Sequence, residues 1–354
     1  MLKCEGDVRD LVQELVDVES VSGSEGPLAN QVYAALSAHP HLTTTRLGNT
    51  IVARTNFGRT TRVVVAGHLD TVPVKGNLPS HLETIGGRQA LVGRGACDMK
   101  GGVAVQLNLA ARLTQAAKDV TWVFYDNEEV EADKNGLGHL AEASPRALRA
   151  DMAILMEPSN GTIEAGCQGS LRINVRTHGV AAHAARAWMG HNAIHDMAGA
   201  IQVLHDYQPQ EVKVDTLMYR EGLNAVSITG GIATNVIPDR CDMLVNYRFA
   251  PDKSLVQAEE VLREIFSGYE LEVRDAAPPA PPGLESPLVA SFAAAVGRVG
   301  PKYGWTDVAR FYQLGVPALN YGPGDPNCAH TDHEFVYLDD VAACRDLLSA
   351  WLLE

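Results

Sequence analysis

Hydrophobic residues form two alternating patterns over the first 167 residues of the chain. A helical face is predicted near the start by the spacing of Val8, Leu11, Val12, Leu15 and Val16. Two further helices are predicted at about 27–38 and 102–113. Continuous apolar runs predict strands at 51–54, 63–66, 120–125 and 152–156. Buried strands that alternate with helices indicate an α/β fold with a mostly parallel mixed sheet flanked by helices.

The pattern changes after residue 167, where polar and apolar residues begin to alternate. Half-buried strands are predicted at 171–177, 225–229, 241–249 and 271–274, and helices at 192–206 and 254–266. A proline-rich linker at 276–283 ends this α+β unit, and helices resume at 287–299 and 339–352. We therefore predict one catalytic domain formed by 1–167 and 282–354, with 168–281 inserted as a second domain.

Composition limits the classes of partner. The chain has 354 residues and a formal net charge of −14, which argues against binding to nucleic acid or to an anionic membrane. No apolar run is long enough to span a membrane, and no signal peptide is evident at the start, so we expect a cytoplasmic protein. None of the six cysteines forms a Cys-x-x-Cys pair, which predicts reduced thiols rather than a thiolate zinc site.

Histidines and carboxylates cluster in five short segments, most of which follow a predicted strand. The segments are 67–73, 93–102, 125–131, 156–159 and 322–334. Their candidate ligands and acid–base groups are His68, Asp70, Asp98, Glu128, Glu129, Glu157 and His330. Each residue alone also fits an ordinary loop, turn or helix N-cap position. Together, two histidines and three carboxylates match the ligands of two zinc-class ions, one carboxylate bridging them because paired ions stand about 3.5–4 Å apart.

The same segments, in the same order, resemble those of the co-catalytic zinc aminoacylases and carboxypeptidases. The segments that carry the resemblance are Gly-His-Leu-Asp-Thr-Val-Pro, Gly-Arg-Gly-Ala-Cys-Asp-Met-Lys-Gly-Gly, Asn-Glu-Glu and Glu-Pro-Ser, followed by the late histidine. The superfamily includes acetylornithine deacetylase, succinyl-diaminopimelate desuccinylase, aminoacylase and glutamate carboxypeptidase. The resemblance covers nearly the whole chain and implies a zinc-peptidase-like catalytic domain interrupted by a ferredoxin-like α+β domain for dimerisation, also called the lid.

The resemblance also implies a role for each residue. One zinc ion would be held by His68 and Glu157, the other by Glu129 and His330, and Asp98 would bridge the two. Glu128 would be the general base, and Asp70 would orient His68. Cobalt or manganese would also suit such carboxylate-rich sites. The chain departs from the common pattern at Asn127 and His333, where acidic residues are frequent, but neither is a ligand position.

The predicted lid carries a second set of candidate residues. The segment 179–194 resembles the family segment whose histidine, here His183, enters the active site of the partner subunit and stabilises the oxyanion. Substrate-binding positions implied by resemblance are Asn235, Arg248, Ser170 and Gly324. An ordinary turn position for His183, and a salt bridge from Arg248 to a nearby aspartate, stay open as alternatives.

Three stretches, at 165–170, 185–190 and 320–326, resemble the actinobacterial type of succinyl-diaminopimelate desuccinylase. The resemblance implies a homodimer that hydrolyses N-succinyl-LL-2,6-diaminopimelate by a dizinc-bound water, as a step of lysine and diaminopimelate biosynthesis. The alternatives are acetylornithine deacetylase, another N-acyl amino acid amidohydrolase or dipeptidase, an inactive relative that only binds a ligand or partner, and a structural dimer with solvated acidic loops.

Overall fold

The predicted apolar runs form the centre of an eight-stranded sheet in the computed structural model, which describes residues 2–354. In order across the sheet, the strands are β1 (Leu42–Leu47), β2 (Thr50–Thr55), β6 (Asp119–Tyr125), β3 (Arg62–His68), β7 (Met152–Leu155), β16 (Ala318–Asn320), β8 (Ile163–Ala165) and β15 (Val299–Pro301). The four strands from β6 to β16 run parallel, and β1, β2 and β8 pair antiparallel. The predicted mostly parallel mixed sheet is confirmed.

Helices pack along this sheet because packing removes their apolar faces from water. The helices of the chain are α1 (Val8–Val16), α2 (Gly26–Ser37), α3 (Gly101–Arg112), α4 (Gly136–Ala143), α5 (Ala193–Asp206), α6 (Leu255–Ile265), α7 (Pro287–Val296), α8 (Val308–Gln313) and α9 (Leu338–Leu353). Every residue of α3 except Arg112 is buried, and α3 packs against α1 and α9. No helix within residues 2–354 combines the length and apolar character that crossing a bilayer requires.

The chain separates into two units. The first comprises the chain up to Ala165 together with Gly283–Gly300 and Arg310–Glu354, and the second comprises Gly166–Pro282 and Pro301–Ala309. The first unit also contains a three-stranded sheet in the order β17 (Phe335–Tyr337), β5 (Arg88–Val92) and β4 (His81–Ile85).

The second unit has the strand order of a ferredoxin-like fold. Its antiparallel sheet runs β12 (Gly222–Gly230), β13 (Arg240–Phe249), β9 (Gly169–His178) and β14 (Glu270–Ala277). Along the chain, α5 follows β9 and α6 follows β13, which gives the β-α-β-β-α-β sequence of that fold. A hairpin of β10 (Glu211–Val214) and β11 (Leu217–Arg220) is added between α5 and β12. The buried faces of α5, α6 and the sheet form one hydrophobic core.

Two details differ from the sequence analysis. The helix predicted at 287–299 ends at Val296, because Gly297 adopts a left-handed conformation with φ +78° that terminates a helix. The segment Pro301–Ala309, assigned by the sequence analysis to the catalytic domain, belongs to the second unit. The amide of Gln168 donates to the Lys302 carbonyl there, and the indole of Trp305 donates to the Pro278 carbonyl.

Candidate metal centre

Three candidate segments begin where neighbouring parallel strands end. His68 is the last residue of β3 and is in register with Tyr125, the last residue of β6. Glu157 follows the end of β7, which is the neighbour of β3 on its other side. Carboxyl ends of parallel strands share one edge of a sheet, where ligands bind in open α/β folds. The fold therefore gathers the predicted segments at one edge.

The orientation of the His68 ring is fixed from behind. The side chain is 1% exposed, and Nδ1 donates to the backbone carbonyl of Asp70 at 3.0 Å. A carboxylate oxygen of Asp70 lies 3.5 Å from the same nitrogen. Because Nδ1 is held in this way, Nε2 faces Asp98 Oδ1 at 3.1 Å. Histidines that bind metals are commonly oriented by such a partner on the other ring nitrogen.

Asp98 lies between two histidines. Its Oδ1 is 3.1 Å from His68 Nε2, and its Oδ2 is 3.4 Å from His330 Nε2. His330 Nε2 also lies 2.9 Å from Glu129 Oε1. Ligand atoms of His68, Asp98 and Glu129 all lie within 4.8 Å of one another. The structure thus brings four of the five predicted ligands into contact.

The charges of the clustered histidines and carboxylates shift one another's pKa values. Hydrogen bonds with Asp98 and Glu129 raise the pKa of His330 to about 10. Burial lowers the pKa of His68, but Asp70 and Asp98 outweigh burial and hold it well above its usual value. Burial raises the pKa of Asp98, but the two imidazoles outweigh burial and hold that pKa below its usual range. Protons on the imidazoles therefore balance the carboxylates, and a divalent cation would replace those protons.

Asp70 fixes the loop that carries the two adjacent glutamates. Its carboxylate is fully buried and accepts the backbone N–H groups of Glu128 and Glu129, each at 3.0 Å. The hydroxyl of Ser22 donates to the same carboxylate at 2.8 Å. One side chain therefore sets both the ring of His68 and the start of the Glu128–Glu129 pair.

Glu157 and Glu128 are the remaining ligand and acid–base candidates of the first unit. Glu157 is 6% exposed and lies outside the group of ligand atoms within 4.8 Å of one another in residues 2–354. Glu128 is partly exposed and directly precedes Glu129. Its backbone position comes from Asp70, as described above.

Buried groups that the sequence did not reveal support these loops. Glu25 is fully buried and accepts the N–H of Gly23 at 2.8 Å and of Asn127 at 3.3 Å. Asn127 has φ +57°, so Glu25 holds a left-handed turn immediately before the glutamate pair. Glu334 and Arg94 form a buried ion pair beside Asp98. Arg94 and Glu334 lie within candidate segments and Glu25 lies outside all of them, and for none of the three can backbone support be read from residue type.

Four of the remaining candidates lie in the second unit. His183 is exposed, and its Nδ1 accepts the N–H of Ala185 at 3.0 Å. It is adjacent to Asn235, whose carbonyl accepts the N–H of Ala184 at 2.8 Å. Ser170 and Arg248 are register partners on β9 and β13. The structure therefore gives two pairs of neighbours in this unit.

Arg248 is half-buried beside groups of both charges. Burial lowers the pKa of Arg248, and the charge of Arg172 lowers it further. Asp275, which faces both arginines, accepts from Arg172 at 2.8 Å. Ser170 beside Arg248 is 4% exposed, and no hydrogen-bond partner reaches its hydroxyl among residues 2–354. A half-buried guanidinium beside a buried hydroxyl suits recognition of a carboxylate.

Gly324 lies in the first unit and has φ +90°, a conformation that favours glycine. A Cβ at position 324 would lie 2.8 Å from Cys97 Sγ. Cys97 directly precedes Asp98 in the chain. The four substrate-binding candidates are therefore divided between the two units.

Known proteins are similar to this chain in sequence and in fold. Residues 64–354 match the model of peptidase family M20/M25/M40. A putative succinyl-diaminopimelate desuccinylase of Mycobacterium tuberculosis is 48% identical over 356 residues, which cover 99% of each chain. A succinyl-diaminopimelate desuccinylase of Corynebacterium glutamicum is 44% identical over 361 residues, which cover 99% of this chain and 97% of that protein.

Solved structures agree on the fold. An aminopeptidase from Bacillus cereus superposes with a TM-score of 0.76 at 18% identity, covering 98% of this chain and 97% of the other. A dinuclear metal binding peptidase from Bacillus subtilis gives a TM-score of 0.71 at 16% identity, covering 98% and 96%. The family model spans most of the sequence and full-length relatives exceed 40% identity, which confirms the resemblance carried by the five segments: the chain belongs to peptidase family M20/M25/M40.

Proposed function

We propose that the chain hydrolyses N-succinyl-LL-2,6-diaminopimelate to succinate and LL-2,6-diaminopimelate at a centre for two metal ions. The observation that carries the proposal is the position of Asp98, whose two oxygens face His68 and His330 at 3.1 and 3.4 Å. A carboxylate that bridges two ions offers one oxygen to each. The substrate is inferred from the names of the relatives at 48% and 44% identity.

The donor set fits zinc. In this proposal His68 and Glu157 hold one ion, Glu129 and His330 hold the other, and Asp98 contacts both. Imidazole and carboxylate groups are the usual ligands of catalytic zinc, and they also accept cobalt or manganese. When bound, such ions supply the Lewis acidity that activates water and polarises the amide carbonyl.

Glu128 is the proton carrier in this mechanism. It accepts a proton from the attacking water, whose oxygen forms a bond to the succinyl carbonyl carbon. It then delivers that proton to the amine nitrogen as the C–N bond breaks. Two features support the role: the partial exposure of Glu128, and the hydrogen bond from its N–H to Asp70 at 3.0 Å, which fixes the backbone. General acid–base catalysis of this kind contributes roughly 10²–10⁴-fold in rate.

Carboxylate recognition is assigned to Arg248, with Ser170, Asn235 and Gly324 as further substrate-binding positions. The substrate carries several carboxylates, and Arg248 offers a partly desolvated guanidinium. Ser170 adds a buried hydroxyl on the neighbouring strand.

The proposal includes a homodimer formed through the second unit. β12 is an edge strand, and it exposes the apolar side chains of Val226 and Ile228 at 57% and 50%. Ile232, in the following loop, is 87% exposed. An edge strand with exposed apolar residues is an unprotected pairing surface. In such a dimer His183 would reach the partner's active site and stabilise the oxyanion.

We place the reaction in the cytoplasm. The thiols of all six cysteines are free, which is typical of a reducing compartment.

Steady-state turnover with added zinc tests the substrate. We expect kcat/KM for N-succinyl-LL-2,6-diaminopimelate to exceed that for N-acetylornithine and for simple dipeptides by at least about 100-fold, because a site whose buried polar groups are left unpaired by a substrate discriminates against it by about 10⁴–10⁵-fold. Comparable values would contradict the substrate assignment. Glu128→Gln should keep normal metal content and lose about 10²–10⁴-fold in kcat. Glu131→Gln, an exposed glutamate in the same loop, is the matched control and should retain full turnover.

Subunit mixing tests the dimer. His183→Ala and Glu128→Gln proteins, each nearly inactive alone, should regain part of the activity when mixed. Such rescue requires that one site combine His183 and Glu128 from different chains. Absence of rescue in a mixture shown to exchange subunits would refute the shared site.

A further inference from the structure

A buried ion pair lies directly behind the Asp98 loop in the first unit. Arg94 Nη1 donates to Glu334 Oε2 at 2.7 Å, and the two side chains are 3% and 1% exposed. Neither residue is a metal ligand or an acid–base group in the proposed mechanism. Desolvating two charges is expensive, and a buried pair can often be replaced by apolar residues without loss of stability. The contacts of this pair indicate a role other than stability.

Glu334 holds the backbone of the proposed bridging ligand. Its Oε1 accepts the N–H groups of Cys97 and Asp98, each at 3.0 Å. The Glu334 carbonyl also accepts the N–H of Gly93 at 2.9 Å. Glu334 follows His330 by four residues, so one short segment carries the ligand His330 and also binds the backbone of the loop that carries the ligand Asp98.

Arg94 extends the connection to a third segment. Its Nη1 donates to the Thr331 carbonyl at 3.2 Å, immediately after His330. Its Nε donates to the Pro73 carbonyl at 3.2 Å, three residues after Asp70. The guanidinium therefore joins the segment of His68 and Asp70, its own loop, and the segment of His330.

We infer that Arg94 and Glu334 are positioning residues that fix the spacing of the His68, Asp98 and His330 segments and thereby set the affinity and geometry of the metal centre. The inference rests on the metal centre proposed above. The planar fork of arginine reaches carbonyls of two segments while it binds a carboxylate, which a lysine cannot do with the same geometry. Apart from Gly67 and His68 at the end of β3, these segments lie outside regular strands, so side chains must supply their spacing.

Glu334→Gln is the sharpest perturbation. The amide keeps an oxygen for the two backbone N–H groups, but its NH₂ then faces the Arg94 guanidinium, donor against donor. We expect Co²⁺ affinity, measured by competition with a chelator, to fall about 10–100-fold, as for other groups that orient ligands. The visible absorption spectrum of the cobalt-loaded protein at saturation should also change, because the ligands move.

Asp119→Asn is the matched control. Asp119 is also buried. Its carboxylate accepts the backbone N–H groups of Phe57 at 2.7 Å and Arg59 at 2.9 Å, and its Oδ2 lies 3.5 Å from Arg62 Nη2. It begins β6, at the strand end opposite the candidate ligands and about 20 Å from them by strand rise. We expect this variant to be destabilised while its cobalt affinity stays within about twofold and its spectrum is unchanged.

The outcomes separate the two proposals. Cobalt affinity and a spectrum for Glu334→Gln that match wild type would overturn the positioning role, whatever the loss of stability. If Glu334→Gln does not accumulate as folded protein, Arg94→Lys takes its place, with the same expectation and the same refuting result. Failure of the wild-type chain to bind cobalt would instead refute the metal centre itself, and the positioning role with it.

Discussion

Replacing Asp70 by asparagine tests the most connected carboxylate of the site. Its Oδ1 accepts the N–H of Glu128 and lies 3.5 Å from His68 Nδ1. Its Oδ2 accepts the N–H of Glu129 and the hydroxyl of Ser22. An asparagine must place its NH₂ at one of these two positions, so one backbone donor then faces another donor.

The magnitude follows from those contacts. One hydrogen bond to a charged acceptor is lost, at about 1.5–3 kcal/mol, and the N–H left behind stays buried because Asp70 is 0% exposed. We expect the free energy of unfolding of the metal-free protein to fall by about 2–4 kcal/mol. Metal affinity should fall about 10–100-fold, because His68 and Glu129 lose a shared support.

Urea denaturation and chelator competition measure the two quantities on the same preparation. The matched control is Asp126→Asn, the same substitution in the same loop, where the carboxylate accepts from the side chains of Thr50 and Asn127. The free energy of unfolding of this control should fall by about 1 kcal/mol, and its metal affinity should equal that of wild type. Stability within about 0.5 kcal/mol of wild type for Asp70→Asn, with unchanged metal affinity, would show that Asp70 does not support His68 and the glutamate pair.

Three further outcomes are expected. Because the pKa of Asp119 is lowered in the folded state, its contribution to stability is present above its unfolded pKa of about 3.9 and is lost as the pH falls through the folded value; the stability difference between Asp119→Asn and wild type should shrink below about pH 4, and a pH-independent difference would contradict this. Zinc uptake near pH 7.5 should release protons, because the pKa of His330 is raised to about 10 in the metal-free protein and that of His68 is raised well above its usual value; calorimetry in two buffers of different ionisation enthalpy measures the release, and zero release would count against it. The Gly324→Ala variant should have a free energy of unfolding lower by about 1–2 kcal/mol, because φ is +90° and the new Cβ would contact Cys97. An unchanged melting temperature would contradict this expected strain.

Elements with continuous apolar character were predicted well from sequence. The run at 120–125 corresponds to β6, Asp119–Tyr125, in which every residue is buried. The short strands β4 and β5 were not predicted, because half-exposed residues give no clear period. β12 was predicted at 225–229 but extends over Gly222–Gly230, since edge pairing with β13 lengthens it.

Residue types and their positions along the chain were enough to predict a metal centre. Two histidines and several carboxylates at predicted strand ends are enough to indicate ligands for zinc-class ions, because residue type and position relative to strands are local properties. The sequence also indicated the inserted α+β unit through a change in hydrophobic period.

Which of these groups meet depends on the folded chain. Asp98 faces His68 and His330 although they are 30 and 232 residues away along the chain, and no local pattern encodes such pairings. The supports are equally non-local: Glu25 reaches Asn127, and Glu334 reaches the backbone of Asp98. Buried backbone N–H groups must be satisfied by whatever acceptor the packed chain brings near, so these contacts depend on the complete fold.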